Sequence, residues 1–470
     1  MSLTLQLRAL TTLVFALVIG GAQSANAQLK IPNLFPFPNA HGISETSNVN
    51  GNGEIDTGNA FFQSFGTNGR SCSSCHLPDQ GWSIAAANVG LRFLLTGGLD
   101  PIFRTVDGSV CDHGIDTSTL NGRFQAYKLL IERGLLRIGI AVPAGAQFTV
   151  VGVNNPYGCN ETSTISTYRR PLPATNLRFL SAVMWDGRES TPPSTQKITF
   201  ATNPADLVAD LGHQANDATT GHAQATGPLT TAQMNEIVNF EMGLYTAQAI
   251  DFGAGSLSAN GANAGPVTLS TQQFFIGIND PLGQNPTNAP FTPDIFNLFN
   301  FWSNTHGLGS GARASIARGQ ALFNNRSINI TGVAGLNDAT GQPVIQGNCG
   351  TCHSSPNVGN HSVPVPLNIG VADLSNPLGV SWLPVVTLRN NTTGETVQTT
   401  DPGRALITGL WADIGKVKGP VLRGLAARAP YFHNGSAASL LDAVNFYDTR
   451  FAIGFTAQEK ADLVAFLNSL

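Results

Sequence analysis

The chain repeats one pattern of apolar and polar residues at two places that are 226 positions apart. The segments "LTTAQMNEIVNFEMGL" (229–244) and "FTAQEKADLVAFLNSL" (455–470) each place their apolar residues on one face of a helix. At this constant offset Phe240 corresponds to Phe466. We predict that the two segments are equivalent amphipathic helices in two homologous helical domains.

Each repeated segment also carries a signal for the start of its helix. Thr230 stands three residues before Gln233, and Thr456 stands three residues before Glu459. In this arrangement, called a capping box, the two side chains each accept a hydrogen bond from the other residue's backbone N–H. The pattern therefore predicts that each helix begins directly after its threonine.

Other stretches divide the chain. The segment "SGARASIARGQALFNN" (310–325) has helical spacing, "AQFTVVGV" (146–153) is typical of a strand, and the small polar residues of 251–266 indicate a loop or linker. We predict the following organisation: a first domain over 28–250 with an insertion at about 86–168, a connecting segment over 251–310, and a second domain over 311–470.

The N-terminus has the pattern of a secretory signal. Arg8 precedes the apolar run 9–21, and Ala25-Asn26-Ala27 supplies an A-x-A cleavage site. A run of 13 apolar residues is short for a membrane span, which takes about 20. We expect residues 1–27 to be removed, and the mature protein to reach the bacterial periplasm without stable membrane insertion.

The composition excludes one class of partner. The net charge is −4, with 25 Lys and Arg against 29 Asp and Glu, so the chain has no basic excess to hold a polyanion. We expect no nucleic-acid partner. The 51 glycines and 27 prolines, together with only 11% charged residues, indicate ordered loops around short helices.

Four of the six cysteines belong to two copies of Cys-x-x-Cys-His, in "SCSSCH" (71–76) and "NCGTCH" (348–353). This pattern is typical of c-type haem attachment, because two thiols tether the haem and the adjacent histidine reaches its iron. From 6 Cys and 9 His in 470 residues, roughly 0.0015 copies are expected by chance. The sequence predicts two covalent haems, the first on Cys72, Cys75 and His76 and the second on Cys349, Cys352 and His353.

Other uses of these cysteines are disfavoured. A thioredoxin-like redox pair predicts a single site beside a βαβ pattern, and a zinc site predicts further Cys or His close by. The sequence shows neither. Cys111 and Cys159 are left as an even pair in an oxidising compartment, which predicts a disulfide between them. The alternative for this pair is two buried free thiols.

Four blocks of the sequence resemble one known family. They are "CSSCHLPDQGWS", "VMWDGRES", "GPVLRGLAARAPYFHNGSAASLLDAVNFY" and the closing helix. In this order they resemble the bacterial di-haem cytochrome c peroxidase family, including its MauG-like branch. The resemblance covers most of 55–85, 170–250 and 310–470. It implies a mainly α fold, with two cytochrome c-like helical domains that each carry one haem and a loop- and strand-containing insertion in the first.

The resemblance implies roles for residues near the first haem. Trp185 matches a tryptophan that lies between the two haems as an electron relay; the alternative is an ordinary core tryptophan. Arg188 then pairs with a haem propionate, or with a neighbouring carboxylate. Asp206 stands where the family has an acid, usually glutamate, that shuttles protons at the open haem, or it is an exposed carboxylate at the start of a helix. His222 lies in the same region, where it either lines that pocket or is an ordinary loop histidine.

The far side of each iron decides its chemistry. The resemblance places Tyr447 where the peroxidases proper have a methionine and the MauG-like branch has a tyrosine. The alternatives are His361 or His433 as ligand of the second haem, or Tyr447 packed as a core residue. No histidine occurs from 77 to 112, so the first haem is expected to be five-coordinate and open. The next histidine, His113, falls inside the insertion beside Cys111, and His41, upstream of the motif, is the residue most able to contradict this expectation.

These expectations lead to one function and two alternatives. The first is reduction of hydrogen peroxide at haem 1, with electrons from a small periplasmic c-type cytochrome or cupredoxin delivered through haem 2. The second is MauG-like or rubber-oxygenase-like oxidation of an organic or protein substrate with peroxide or dioxygen. The third is a di-haem electron carrier with both irons closed. The resemblance also implies one calcium ion, with 418–424 as a contributing segment.

Overall fold

The computed structural model describes residues 29–190, 204–304 and 306–470. The predicted signal segment, 1–27, lies outside these ranges. Within them, no helix combines the length and the apolar character that a membrane crossing requires.

The helices of the described residues are mostly short. They are α1 (Ala86–Thr96), α2 (Leu120–Ala126), α3 (Lys128–Arg133), α4 (Pro204–Gly221), α5 (Thr231–Gly243), α6 (Pro266–Ser270), α7 (Ser310–Asn325), α8 (Asn337–Thr340), α9 (Ala405–Thr408), α10 (Leu440–Phe451) and α11 (Ala457–Asn468). Single 3-10 turns open both Cys-x-x-Cys-His motifs, at Cys72–Ser74 and Cys349–Thr351.

The strands of the described residues pair antiparallel in several small sheets. One sheet has four strands, β2 (Phe37–Asn39), β3 (Gly42–Asn48), β8 (Leu244–Asp251) and β9 (Gly255–Ser256). Another has three, β13 (Thr396–Thr399), β12 (Val385–Asn390) and β6 (Phe148–Asn154). The two-stranded pairs are β1 (Lys30–Pro32) with β4 (Glu54–Asp56), β5 (Leu136–Ala141) with β7 (Thr164–Arg169), and β10 (Ile328–Thr331) with β11 (Val344–Gly347).

The expectation of a mainly α fold is wrong. Helices make up 31% of the structure and strands 17%, and the strands form several sheets. Much of this β structure depends on partners that are distant in the chain. Strand β8 follows α5 directly, and it exists because it pairs along its length with β3, about 200 residues earlier. Local periodicity cannot report such a pairing.

The two capping-box helices are confirmed. Helix α5 begins after Thr230, whose Oγ1 accepts a 3.3 Å hydrogen bond from the backbone N–H of Gln233. Helix α11 begins after Thr456, whose Oγ1 accepts one of 3.2 Å from the backbone N–H of Glu459. In both, the glutamine or glutamate side chain returns a bond to the threonine N–H. The shared start fixes which face of each helix points inward.

The two repeated helices make equivalent aromatic contacts in the core. The ring of Phe240 lies 5.1 Å from that of Phe61, and the ring of Phe466 lies 5.8 Å from that of Phe323. All four side chains are buried. Because Phe240 and Phe466 are the residues that the sequence repeat aligns, the repeat in the sequence is also a repeat in packing.

Helices α7 and α11 cross at very short range in the second half of the chain. A Cβ atom on Gly319 of α7 would lie 2.0 Å from the carbonyl oxygen of Asp462 in α11. The Asp462 carboxylate reaches back to α7, where it accepts hydrogen bonds from Ser315 (2.6 Å) and Arg318 (2.8 Å). The absence of a side chain at Gly319 therefore permits this crossing.

The predicted insertion contacts the second half of the chain through a strand pairing and an ion pair. Its strand β6, predicted from 146–153, is confirmed, and it pairs with β12. At the end of β7, Arg169 Nε lies 2.7 Å from the Asp401 carboxylate. Cys111 and Cys159 form a disulfide within the insertion, with a Cα–Cα distance of 5.7 Å. The domain boundaries themselves stay predictions.

Candidate active site

The first Cys-x-x-Cys-His motif forms a tight turn that aims its histidine. Ser71 caps the 3-10 turn that carries Cys72, through a hydrogen bond from its backbone N–H to Ser74 Oγ. The Nδ1 atom of His76 lies 2.9 Å from the carbonyl oxygen of Trp82. This contact fixes the ring and leaves Nε2 as the nitrogen for an iron ligand.

The second motif uses the same device. Asn348 caps the turn at Cys349–Thr351, and its backbone N–H donates to Thr351 Oγ1 at 3.1 Å. The Nδ1 atom of His353 lies 2.6 Å from the carbonyl oxygen of Gly359. The His353 ring also lies 6.0 Å from the Phe323 ring, as the His76 ring of the first motif lies 6.4 Å from Phe61.

Burial prepares the motif side chains for ligation and attachment. It lowers the pKa of His76 and His353, so both imidazoles are neutral, which is the form that binds a metal. Cys72, Cys75, Cys349 and Cys352 are free thiols. Burial raises the pKa of each, for Cys349 and Cys352 to about 12. The thiols are therefore protonated and unpaired.

A large cavity opens over the first motif. Its volume is about 1610 Å³, with the space at its open mouth included, and Cys72, Cys75 and His76 lie in its wall. Small-molecule pockets commonly measure roughly 300–1,000 Å³. Most of the wall is apolar, with side chains such as Leu177, Val183 and others from Leu172 to Met184. The space suits a large, flat, mainly apolar group.

Three buried cations in the cavity wall have no anionic partner among the described residues. Lys418 Nζ donates only to the carbonyl of Ala182 at 2.9 Å, and Arg423 Nη1 donates to a carbonyl at 3.2 Å while its Nε has no partner. The Arg170 guanidinium donates to backbone carbonyls. Burial lowers the pKa of Lys418 to about 7 and those of Arg170 and Arg423 to about 9.

These cations indicate what the cavity holds. A buried charge without a counter-charge is costly, and proteins seldom keep one unless a ligand supplies it. A haem brings two propionate carboxylates. The residues present therefore fit a haem: two thiols for its attachment, a free imidazole nitrogen for its iron, an apolar wall for its ring, and uncompensated cations for its carboxylates.

Trp185 lies in the wall of this cavity and is 9% exposed. Its indole Nε1 donates a 2.7 Å hydrogen bond to the carbonyl oxygen of Arg170. Its own carbonyl accepts one of 2.8 Å from the backbone N–H of Lys418, and its ring lies 6.1 Å from that of His433. The indole therefore stands where segments from both halves of the chain meet.

Arg188 also lines the cavity, but its charge is compensated. Its Nη1 lies 3.0 Å from the Asp186 carboxylate and its Nε lies 3.7 Å from that of Glu189. Asp186 is fully buried and also pairs with Arg169 at 2.5 Å. Although burial opposes it, these arginines hold the pKa of Asp186 well below its usual range. Of the two partners that the sequence left open for Arg188, the structure has the neighbouring carboxylate.

The two candidate proton carriers differ in position. His222 lines the cavity, directly after helix α4, and its Nδ1 pairs with the carboxylate of Asp107. Asp206 lies in the first turn of α4, and the cavity wall includes residues of α4 from Leu211 onward but not Asp206. The catalytic role of Asp206 stays a prediction. Asp107 belongs to the insertion, outside the family resemblance, and the sequence analysis missed it.

A second carboxyl group in the cavity was also missed. Glu241 is 6% exposed, its Oε2 has no hydrogen-bond partner among the described residues, and burial raises its pKa to about 8. A sequence signal existed: Glu241 falls within the apolar end of the first repeated helix, where the second copy has Leu467. A carboxylate at an apolar position of a repeat indicates a local function.

Among the described residues, the cavity wall contains two histidines, the proximal candidate His76 and His222. His41 and His113, which the sequence left as possible further ligands of the first iron, are not part of it. His41 is exposed in a turn before β3. His113 is 57% exposed and pairs with Asp112 at 2.8 Å and Glu161 at 3.2 Å beside the disulfide.

Tyr447 lies close to the second motif. It is carried by α10, and its ring contacts Phe432 (6.0 Å), Phe446 (5.4 Å) and Phe451 (6.4 Å, stacked). Burial and the nearby thiols of Cys352 and Cys349 raise the pKa of Tyr447. The described residues offer no hydrogen bond to its hydroxyl, which leaves that oxygen free for another partner.

The two histidines named as alternatives to Tyr447 are both buried, and the Nε2 atom of each has no hydrogen-bond partner among the described residues. His361 Nδ1 lies 3.1 Å from the carbonyl of Cys352, so it also adjoins the second motif. His433 Nε2 lies 3.7 Å from the Asp401 carboxylate, on the Trp185 side. Burial lowers the pKa of each to about 4. Tyr447 and His361 are thus the candidate ligands near the second motif.

Comparisons with known proteins give partial similarities. No protein-family model matches the chain. A stretch of 81 residues is 38% identical to cytochrome-c peroxidase IdrP1 of Pseudomonas sp. (strain SCT), over 15% of this chain and 21% of that protein. A stretch of 140 residues is 34% identical to cytochrome-c peroxidase IdrP2 of Denitromonas iodatirespirans, over 27% of this chain and 36% of that protein. The matched stretches span about a fifth to about a third of these relatives.

One solved structure aligns along nearly the whole chain. It is the crystal structure of a MauG-like protein associated with microbial copper homeostasis, with 16% sequence identity and a TM-score of 0.40. The alignment covers 96% of this chain and 94% of that one.

Proposed function

We propose that the protein is an exported di-haem c-type oxidoreductase that reduces hydrogen peroxide. Peroxide binds at the haem held by Cys72, Cys75 and His76, and electrons enter through the haem held at the second motif. One observation carries the proposal: the cavity over His76 is large and mainly apolar, and three of the buried cations in its wall have no carboxylate partner among the described residues. The partial similarity to cytochrome-c peroxidases supports the same reaction class.

The protein's residues hold the cofactor from three sides. The Cys72 and Cys75 sulfurs tether it, and His76 Nε2 reaches the iron while Nδ1 stays bonded to the Trp82 carbonyl. Lys418 and its neighbouring buried arginines neutralise its propionates. When bound, the haem supplies a redox-active iron at which the O–O bond of peroxide is cleaved.

Trp185 carries electrons between the two halves in this proposal. Its indole lies in the cavity wall, and its backbone is bonded to the Lys418 segment of the second half. Two electrons and two protons convert one peroxide into two waters. A small periplasmic c-type cytochrome or cupredoxin supplies the electrons, one at a time.

Tyr447 would supply an oxygen ligand to the iron of the other haem in this proposal. Its hydroxyl lies near Cys349 and Cys352 and is not used by the described residues. A metal ion stabilises the phenolate against the burial that otherwise keeps the group protonated. An anionic oxygen ligand favours ferric iron and lowers the potential relative to methionine.

The proposed calcium ion finds little support in its segment. The carbonyls of Val421 and Arg423 already accept hydrogen bonds from Arg428 at 2.8 and 3.4 Å. Lys418, Arg423 and Arg428 also place three buried cations there, which repel a calcium ion. These residues do not fit the ion, so no step depends on it.

The spin states of the ferric protein test the proposal. We expect one high-spin haem at the open site and one low-spin haem at the second, together with peroxide-dependent oxidation of reduced cytochrome c. Two low-spin haems would show that both irons are closed, and the protein would then be an electron carrier.

A second candidate is oxidation of an organic or protein substrate, as in MauG-like proteins or rubber oxygenases. The observation that favours it is the wall that the insertion adds to the cavity, through Asp107, Leu136 and Ile138. Slow peroxide turnover beside a long-lived oxidised species would favour this candidate. Fast turnover with reduced cytochrome c would favour peroxide reduction.

A further inference from the structure

We propose that Asp107 is a positioning residue that, with Arg70, holds His222 so that its Nε2 transfers protons in the cavity over His76. This inference rests on the proposed function, because it assigns the proton carrier for the same reaction. It replaces Asp206 with His222 in that role.

The Asp107 carboxylate is buried and divides its two oxygens between two partners. Asp107 is 3% exposed. Its Oδ1 lies 2.5 Å from Arg70 Nη1, and its Oδ2 pairs with His222 Nδ1. Although burial opposes it, His222 and Arg70 hold the pKa of Asp107 below its usual range. The carboxylate is therefore ionised, and each of its oxygens can accept a hydrogen bond from an N–H group.

Arg70 cannot move away from this pair. It is 2% exposed, its Nε donates to the carbonyl of Pro101 at 2.8 Å, and its Nη2 donates to that of Ile102 at 2.5 Å. The backbone of Asp107 is fixed too, since its carbonyl accepts a 2.7 Å hydrogen bond from the N–H of Arg137. Because Arg70 and the Asp107 backbone are both fixed, the Asp107 Oδ2 atom that faces His222 has a fixed direction.

The position of this oxygen decides which ring nitrogen of His222 carries the proton. With the carboxylate at Nδ1, the proton of a neutral ring resides on Nδ1, and Nε2 is the atom that accepts a proton. The backbone carbonyl of His222 is held by Asn68 Nδ2 at 2.8 Å. The side chain is 38% exposed, so the ring borders both the cavity and solvent. A proton on Nε2 can thus exchange with bulk water.

The chemistry that follows is one proton transfer in each direction. His222 Nε2 takes a proton from one oxygen of the bound peroxide and returns it to the other oxygen as the O–O bond breaks, which releases water. The oxygen that remains becomes the second water with two protons from solvent and two electrons from the reduced donor. The negative charge of Asp107 stabilises the ring while it carries the extra proton.

A purely structural role for the ion pair makes a different prediction. Arg70 and Asp107 then only join the first motif to the insertion, and the loss of one partner lowers stability without an effect on proton transfer. The rate at which cyanide binds to the ferric protein separates the two roles, because hydrogen cyanide must lose its proton to a base before it binds iron as an anion.

The experiment uses the full-length, haem-loaded protein and stopped-flow cyanide binding. For His222→Gln we expect binding to slow by about 10²–10⁴-fold. For Asp107→Asn we expect it to slow by about 10–100-fold, as for other residues that orient a reactive histidine. We expect kcat for peroxide to fall in parallel, while the spin states and the KM for the electron donor stay unchanged.

The double variant tests whether Asp107 acts through His222. In the His222→Gln background, Asp107→Asn should cause no further slowing. The matched control is Asp112→Asn, which breaks a His–Asp pair with His113 outside the cavity wall and should leave the cyanide rate unchanged.

Three results would overturn the inference. One is an unchanged cyanide rate in His222→Gln, a surface-bordering change that folding should tolerate. Another is an equal effect of Asp107→Asn in both backgrounds. The third is a wild-type protein with two low-spin haems in which His222→Gln makes one high-spin, since His222 would then be an iron ligand. A normal cyanide response without peroxide turnover would instead refute only the proposed function.

Discussion

The backbone N–H of Lys418 donates a 2.8 Å hydrogen bond to the carbonyl oxygen of Trp185. Trp185 is therefore held at two points, because its indole Nε1 also donates to the Arg170 carbonyl at 2.7 Å. One anchor comes from each half of the chain. The indole thus has a fixed orientation in the cavity wall.

Trp185→Phe should slow electron transfer between the two halves. Phenylalanine keeps the buried aromatic volume but loses the Nε1 hydrogen bond and the easily oxidised indole. We expect kcat for peroxide to fall about tenfold or more, which corresponds to roughly 1.4 kcal/mol in the barrier. Steady-state turnover and rapid-mixing spectra of each haem would measure it.

Trp382→Phe is the matched control for this prediction. The guanidinium carbon of Arg133 lies 3.4 Å from the centroid of the Trp382 ring, and Trp382 is not in the cavity wall. Its replacement should leave turnover unchanged. Equal turnover of Trp185→Phe and wild type would contradict the relay.

Tyr447→Phe should change the low-spin haem. The phenyl ring keeps the contacts with Phe432, Phe446 and Phe451, so the fold should be retained. Loss of the oxygen ligand should convert the low-spin signal to high spin or to a new ligand set. Electron paramagnetic resonance of the ferric protein would detect this.

Tyr157→Phe serves as its control, because Tyr157 lies in the insertion beside Tyr168, at a ring distance of 6.1 Å. It should leave both haem signals intact. If the low-spin signal also survives in Tyr447→Phe, the ligand is another residue, and His361→Ala is the next variant to measure.

Glu241→Gln should stabilise the protein at neutral and alkaline pH. Burial raises the pKa of Glu241 from its ordinary value of 4.5 to about 8. The folded state therefore binds more protons than the unfolded state between these values, and stability falls as pH rises from about 4.5 to 8. Glutamine is neutral throughout and removes this loss.

Denaturant unfolding of both proteins at a series of pH values would measure the difference. The stability advantage of Glu241→Gln should be small near pH 4.5, grow up to about pH 8, and then stay constant. The exposed Glu132→Gln is the control and should show no such trend. A constant advantage at all pH values would mean that Glu241 is not buried as an acid.

Gly319→Ala should destabilise the second half of the chain. The added Cβ would lie 2.0 Å from the Asp462 carbonyl, so helices α7 and α11 must separate. We expect a loss of about 1–3 kcal/mol in the free energy of unfolding. Gly311→Ala in the same helix meets nothing within 4 Å and should change stability by less than about 1 kcal/mol. Similar effects of the two changes would contradict the close crossing.

Much of the local structure could be predicted from the sequence. Thr230 and Thr456 start their helices as the capping boxes indicated, and strand β6 lies where its alternation placed it. The structure also joins Cys111 to Cys159, the pair left over after the two motifs were assigned. The helix starts and the strand depend on residues near one another in the chain. The disulfide follows because only two cysteines are left outside the two motifs.

The β structure and parts of the site could not be predicted. Strand β8 needs β3, and β6 needs β12, so neither sheet is visible in a local pattern. Asp107 reaches His222 across 115 positions of the chain, and nothing near "TVDGSV" signals that contact. Glu241 was signalled by its mismatch with Leu467, but only its burial shows that the mismatch matters.

The sequence by itself determined the two sites at which we propose that haem attaches, because attachment needs two thiols and a histidine within one turn of chain. It also determined that the two attachment sites belong to repeated units, because Phe240 and Phe466 keep one offset and one helical phase. Only the tertiary structure decided how the sites differ. The buried cations, Asp107 and Glu241 acquire their roles from low dielectric surroundings and from partners distant in the chain.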